Sequence, residues 1–184
     1  QAYMNIVLCL LNSSGPNKNS NTTPLTNTTP KAIVFAPYYF NHVMAIQMVA
    51  GKDAVVIGPT TTEEDETTGT GGMPNVDWLE QHLQQNQNQQ QNQNNIRMVT
   101  IVNPNNPIGI TIDPHILQRI VSITKQYGVW LILDCTYEYF ITSPTTTPTS
   151  TNQPAQSQPQ VQPQAQPTIF TSPNESHVIH IFSF

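Results

Sequence analysis

Asn103-Pro104-Asn105-Asn106-Pro107-Ile108-Gly109 follows the run Met98-Val99-Thr100-Ile101-Val102, and Asp134-Cys135-Thr136-Tyr137 follows a second run, Val129-Trp130-Leu131-Ile132-Leu133. Short, largely apolar runs rich in β-branched residues read as strands buried on both faces, which places them in a parallel sheet. Open parallel sheets bind ligands in the crevice outside the carboxyl ends of their strands. Both polar clusters therefore stand where a ligand would be.

Outward from these strands the chain alternates. Ala2 to Leu11 reads as a helix with Tyr3, Ile6, Val7, Leu10 and Leu11 on one face. Ala32 to Ala36 reads as a strand, followed by Pro37-Tyr38-Tyr39-Phe40-Asn41-His42 and a Met-rich helix to Ala50. Ala54 to Ile57 is a further strand, and Val76 to Leu83 a short helix cut off by Gln and Asn residues. Asp113 caps the next helix, Pro114 opens it and Gly128 ends it. His177 to Phe182 is the last strand. Alternating strands and helices predict an α/β fold, a mostly parallel sheet with helices on both faces.

Four low-complexity blocks interrupt this pattern: Ser13 to Pro30, Thr60 to Met73, Gln84 to Asn95, and Ser143 to Glu175. Each carries too little apolar surface to offset its ordering entropy, so all four are expected to be loop insertions. Loop closure costs only about 0.6 kcal/mol per doubling of length, so a stable sheet tolerates them. The sequons at Asn12, Asn21, Asn27 and Asn174 are read as chance matches in Asn/Thr-rich sequence.

The net charge of -5 and the lack of a basic cluster argue against nucleic acid as a partner. No apolar run reaches 18 residues, so no transmembrane helix is expected. Cys9 and Cys135 are far apart and form no CxxC pair, which argues against a zinc site or a disulfide framework. A cytoplasmic, reducing compartment is the default. His177 and His180, three apart on a strand, do not make a metal pair. Trp78 and Trp130 are expected in the core, and His42 is expected to pack or support rather than catalyse.

The strand ends together offer a carboxylate (Asp134), an amide (Asn106), phenols (Tyr39, Tyr137) and a hydroxyl (Ser183). A protonated heteroaromatic ring with a phenolic oxygen uses a carboxylate, an amide, a phenol and an aromatic ring together, and pyridoxal phosphate has that pattern.

At this point the chain resembles a family. Ala36 to His42, the Asn-Pro-x-Asn-Pro-x-Gly stretch, Asp134-x-x-Tyr137 and Ile181-Phe182-Ser183-Phe184, in this order and each after a strand, resemble the large domain of the class I/II, fold-type I, pyridoxal-phosphate-dependent aminotransferases. The resemblance implies amino-group transfer from an amino acid to a 2-oxo acid, in a homodimer. It implies that Asp134 pairs with the pyridine nitrogen, and that Asn106 and Tyr137 contact the phenolic oxygen. Tyr39 would stack on the ring and Ser183 would help bind the phosphate.

It also implies what the chain lacks. The Schiff-base lysine of the family's Ser-x-x-Lys motif would fall just beyond Phe184, and Lys18, Lys31, Lys52 and Lys125 cannot replace it by position. The expected organisation is a partial large domain over residues 1–184, without the small C-terminal domain. The alternative is a catalytically inactive fragment, or a binding or dimerisation module.

Overall fold

The computed structural model describes residues 1–12, 29–61, 72–88, 95–138 and 175–182. Within them, four α-helices and five strands run in the order α1 (Ala2–Leu11), β1 (Lys31–Phe35), α2 (Phe40–Ala50), β2 (Val55–Gly58), α3 (Val76–Asn88), β3 (Ile96–Val102), α4 (Pro114–Gln126), β4 (Trp130–Asp134) and β5 (Val178–Ile181). The strands form one sheet in the order β2-β1-β3-β4-β5, and every pair is parallel.

Alternation along each strand divides the core in two. Ile33, Phe35, Val99, Ile101, Leu131 and Leu133 pack against α3 and α4. Ala32, Val34, Met98 and Ile132 pack against α1 and α2. Both faces of the sheet are thus covered, as the near-continuous apolar strands require. The helix after β1 lies on one face and the helix after β3 on the other, which makes the gap between those two strand ends the topological switch point.

Local sequence explains the element ends. Asp113 accepts a hydrogen bond from the His115 N–H at 2.7 Å and Pro114 starts α4, so one free N–H is satisfied and another does not exist. Gly128, at φ 66°, turns the chain out of α4 into β4. At Gly58 a Cβ would meet the rings of Phe35 and Trp78 at 2.7 Å, so only glycine lets Trp78 close over the end of β2.

Three expectations change. Helix α3 does not stop at the Gln/Asn run but continues into it, to Asn88. Glutamine is a fair helix former, and Gln87 Nε2 donates to the Tyr127 carbonyl at 3.4 Å. Met73, assigned to an insertion, is buried, and Thr61 and Met73 bond across the base of that loop. Trp130 is 38% exposed rather than core, because it opens β4 at the outer end of the strand. Residues 13–28, 62–71, 89–94 and 143–174 of the four insertions lie outside the described residues. No described helix is long and apolar enough to cross a membrane.

Candidate functional site

Three strand ends and the turns after them build the site. Asp134 is the last residue of β4, in register with Val102 on one side and Ile181 on the other. Its Oδ2 lies 3.0 Å from His42 Nε2, in the first turn of α2. Its Oδ1 accepts from the Thr136 hydroxyl at 2.6 Å and the Thr136 N–H at 3.1 Å, an Asx turn that fixes the carboxylate plane. Burial is the largest single influence on Asp134 and pushes its pKa up. The bonds from His42 and Thr136 outweigh it together and hold the carboxyl below its ordinary value. The result is an ionised carboxylate only 8% exposed.

The loop after β3 is tied internally. Asn103 is buried, its N–H donates to the Asp134 carbonyl at 2.9 Å, and its Oδ1 accepts from the Ile112 N–H at 2.9 Å. Asn105 accepts from the N–H groups of Ile108 and Gly109. Gly109 sits at φ 73°, where a side chain would strain the backbone. This bracing leaves Asn106 pointing outward, its Nδ2 donating to the Tyr137 hydroxyl at 3.0 Å.

Tyr39 caps α2. Its ring stands edge-on to His42, with centroids 5.4 Å apart at 89°, and its hydroxyl accepts from Asn41 Nδ2 at 2.6 Å. Tyr3 of α1 stacks on His42 from another side. Burial pushes the Tyr3 phenol well above its ordinary range, although its bond with Thr100 opposes the shift. Cys135 is inert as a nucleophile: burial and the charges of Glu138 and Asp134 push its thiol up to about 12.

The sequence-derived residues therefore fall into two groups. Tyr39 and Asp134 line one open cleft of about 480 Å³, together with Tyr3, His42, Thr136 and Phe182. Asn106 and Tyr137 form a pair on the same edge but do not line that cleft. The gap between the β1 and β3 ends is itself filled, with about 20 Å³ left, room for about one water. Ser183 lies outside the described residues. Sequence reading missed Thr136 and Tyr3. For Thr136 the signal was present, since an aspartate at a strand end bonds the backbone N–H two residues on and a hydroxyl there can add a second bond.

A 2-1-3-4-5 parallel sheet with an acid–imidazole pair at its carboxyl edge defines a doubly wound ligand-binding domain. Comparison with known proteins gives the family. The model of the class I and II aminotransferases matches residues 6–172, and the chain belongs to that family. It is 34% identical over 141 residues to the aromatic aminotransferase ISS1 of Arabidopsis thaliana, covering 77% of this chain and 28% of that protein. It is 26% identical over 115 residues to an aspartate aminotransferase of Sulfurisphaera tokodaii, covering 62% of this chain and 25% of that protein. The crystal structure of an aspartate aminotransferase from Thermotoga maritima shares the fold, with a TM-score of 0.53 and 20% identity over 74% of this chain and 28% of that one. The chain thus spans about a quarter of the length of these relatives.

Proposed function

We propose that this chain forms part of the pyridoxal-phosphate site of an aminotransferase that moves an amino group from an amino acid to a 2-oxo acid. The single observation that carries the proposal is the Asp134 carboxylate: buried, held ionised, and fixed at both oxygens at the carboxyl edge of the sheet. The names of the relatives, aromatic and aspartate aminotransferases, support the same reading.

The donor set fits the cofactor. Asp134 would pair with the ring nitrogen, and a carboxylate there is the partner that makes this cofactor an electron sink. Asn106 and Tyr137, already hydrogen-bonded to each other, would share the phenolic oxygen. The Tyr39 ring would cover one face, and Ser183 would take part in binding the phosphate. Gln1 and Ala2, at the N-terminal turn of α1, line the cleft; free N–H groups and the positive end of a helix suit a phosphate. His42 and Thr136 hold Asp134 in place, and burial keeps its charge from being dissipated in water.

In the complete protein this part would belong to the large domain of a homodimer, with the low-complexity segments as loop insertions around it. Cys9 and Cys135 carry free thiols, which supports a reducing, cytoplasmic setting.

Absorbance titration of the chain with pyridoxal 5′-phosphate tests the proposal. Saturable one-to-one binding, weakened at least about tenfold, or 1.4 kcal/mol, in Asp134→Ala, is expected. Equal binding by the wild-type chain and the variant contradicts it.

A further inference from the structure

Thr100 is out of character with its strand. It is a hydroxyl residue 3% exposed in the middle of β3, where neighbouring positions are apolar and a buried hydroxyl needs a partner. That partner is Tyr3, whose hydroxyl lies 2.9 Å from Thr100 Oγ1. The phenol is thereby pinned to the sheet, and its ring lies on the imidazole of His42, with centroids 4.0 Å apart and planes tilted by 34°. Tyr39 stands edge-on against the same imidazole. An imidazole turns broadly about its last torsion, and only some orientations aim Nε2 at Asp134 Oδ2. Packing on a face and an edge removes the others, which is how a site keeps its geometry to within about half an ångström.

We propose that Tyr3 is a positioning residue: anchored through Thr100, its ring fixes the His42 imidazole so that Nε2 stays on Asp134. This rests on the reading of Asp134 as the partner of the cofactor's ring nitrogen, because that pairing is what a fixed His42 serves. Tyr3 acts through His42 and touches no reacting atom. Three elements contribute to the alignment: the first turn of α1, the middle of β3 and the first turn of α2. A fault in any of them reaches the carboxylate.

Long-range proton–nitrogen correlation spectra of the histidine-labelled chain test this. The signature is a His42 Nε2 proton protected from exchange with water, since an acceptor-only carboxylate requires Nε2 to donate. Wild type is expected to show it, and Tyr3→Phe, which keeps the ring but loses the bond to Thr100, is expected to exchange that proton faster. Tyr3→Met fills the volume with a flexible apolar chain, so the fold should survive. It is expected to lose the protected signal and to bind pyridoxal 5′-phosphate at least about threefold more weakly, near the bottom of what one fixed contact contributes. A protected Nε2 proton that persists in folded Tyr3→Met overturns the proposal, as does exchange in Tyr3→Phe as slow as in wild type. A wild-type chain that binds no pyridoxal phosphate overturns the cofactor reading and the purpose given to Tyr3 with it, while the His42 signal alone judges the contact.

Discussion

The two edges of the sheet differ in almost every respect. At the carboxyl edge stand Asp134, His42, Tyr39, Asn106 and Tyr137, and among the described residues no lysine or arginine belongs to this group. At the amino edge, Lys31 opens β1, Arg97 is the second residue of β3, Lys52 follows α2 and Lys125 lies in the last turn of α4. Amide side chains join the elements there. Asn95 Nδ2 donates to the Thr29 carbonyl at 3.1 Å, Asn86 donates to Asn95 at 3.4 Å, and Gln87 reaches Tyr127. One edge has charge held rigid and out of water; the other has charge in water and exchangeable amide bonds. Polarity by itself does not mark a site. What sets the carboxyl edge apart is the buried Asp134 carboxylate, held at both oxygens.

Asp134→Asn should break the comparison most sharply. It keeps shape and the Thr136 bonds but removes the charge. In the complete enzyme, turnover should fall at least about a hundredfold, since losing preorganised charge stabilisation costs about 3 kcal/mol of barrier. Steady-state kinetics, with a thermal melt showing a retained fold, is the check; turnover within twofold of wild type would place the chemistry elsewhere.

Asn106→Ala is expected to act less strongly. It removes one hydrogen bond worth about 1 kcal/mol from the Asn106–Tyr137 pair, so cofactor affinity should drop about fivefold with little change in the melt. Equilibrium titration decides this, and an unchanged affinity would leave the pair as turn structure only.

Asn95→Ala probes the opposite edge and carries the smallest effect. Stability should fall by about 1 kcal/mol or less, as its bonds to Thr29 and from Asn86 are lost at a half-buried position. Cofactor affinity should not move. Denaturant unfolding and the same titration together separate the two edges. A loss of affinity here would mean that the edges are coupled.

What was legible in the sequence follows the same division. The strands declared themselves because burial on both faces demands unbroken apolar runs, and α4 because Asp113, Pro114 and Gly128 mark its ends chemically. Asp134, Asn106 and Tyr137 were legible as polar groups at strand ends. The His42–Asp134 contact was not, because the residues are 92 apart in sequence and only the order of β1, β3 and β4 brings them together. Thr100 looked like an ordinary strand residue until Tyr3 supplied its partner. The Gln/Asn run misled for another reason: composition predicted loop, while packing of Leu79 and Leu83 nucleated a helix that then ran on into it.

The most direct measurement is the nitrogen-15 shift of the cofactor ring nitrogen, with labelled pyridoxal 5′-phosphate bound to the wild-type chain and to Asp134→Asn. If the buried carboxylate pairs with that nitrogen, the wild-type complex shows a protonated ring nitrogen well above the pH at which the free cofactor loses its proton, and the variant shows a neutral one. The same shift in both complexes would contradict the account.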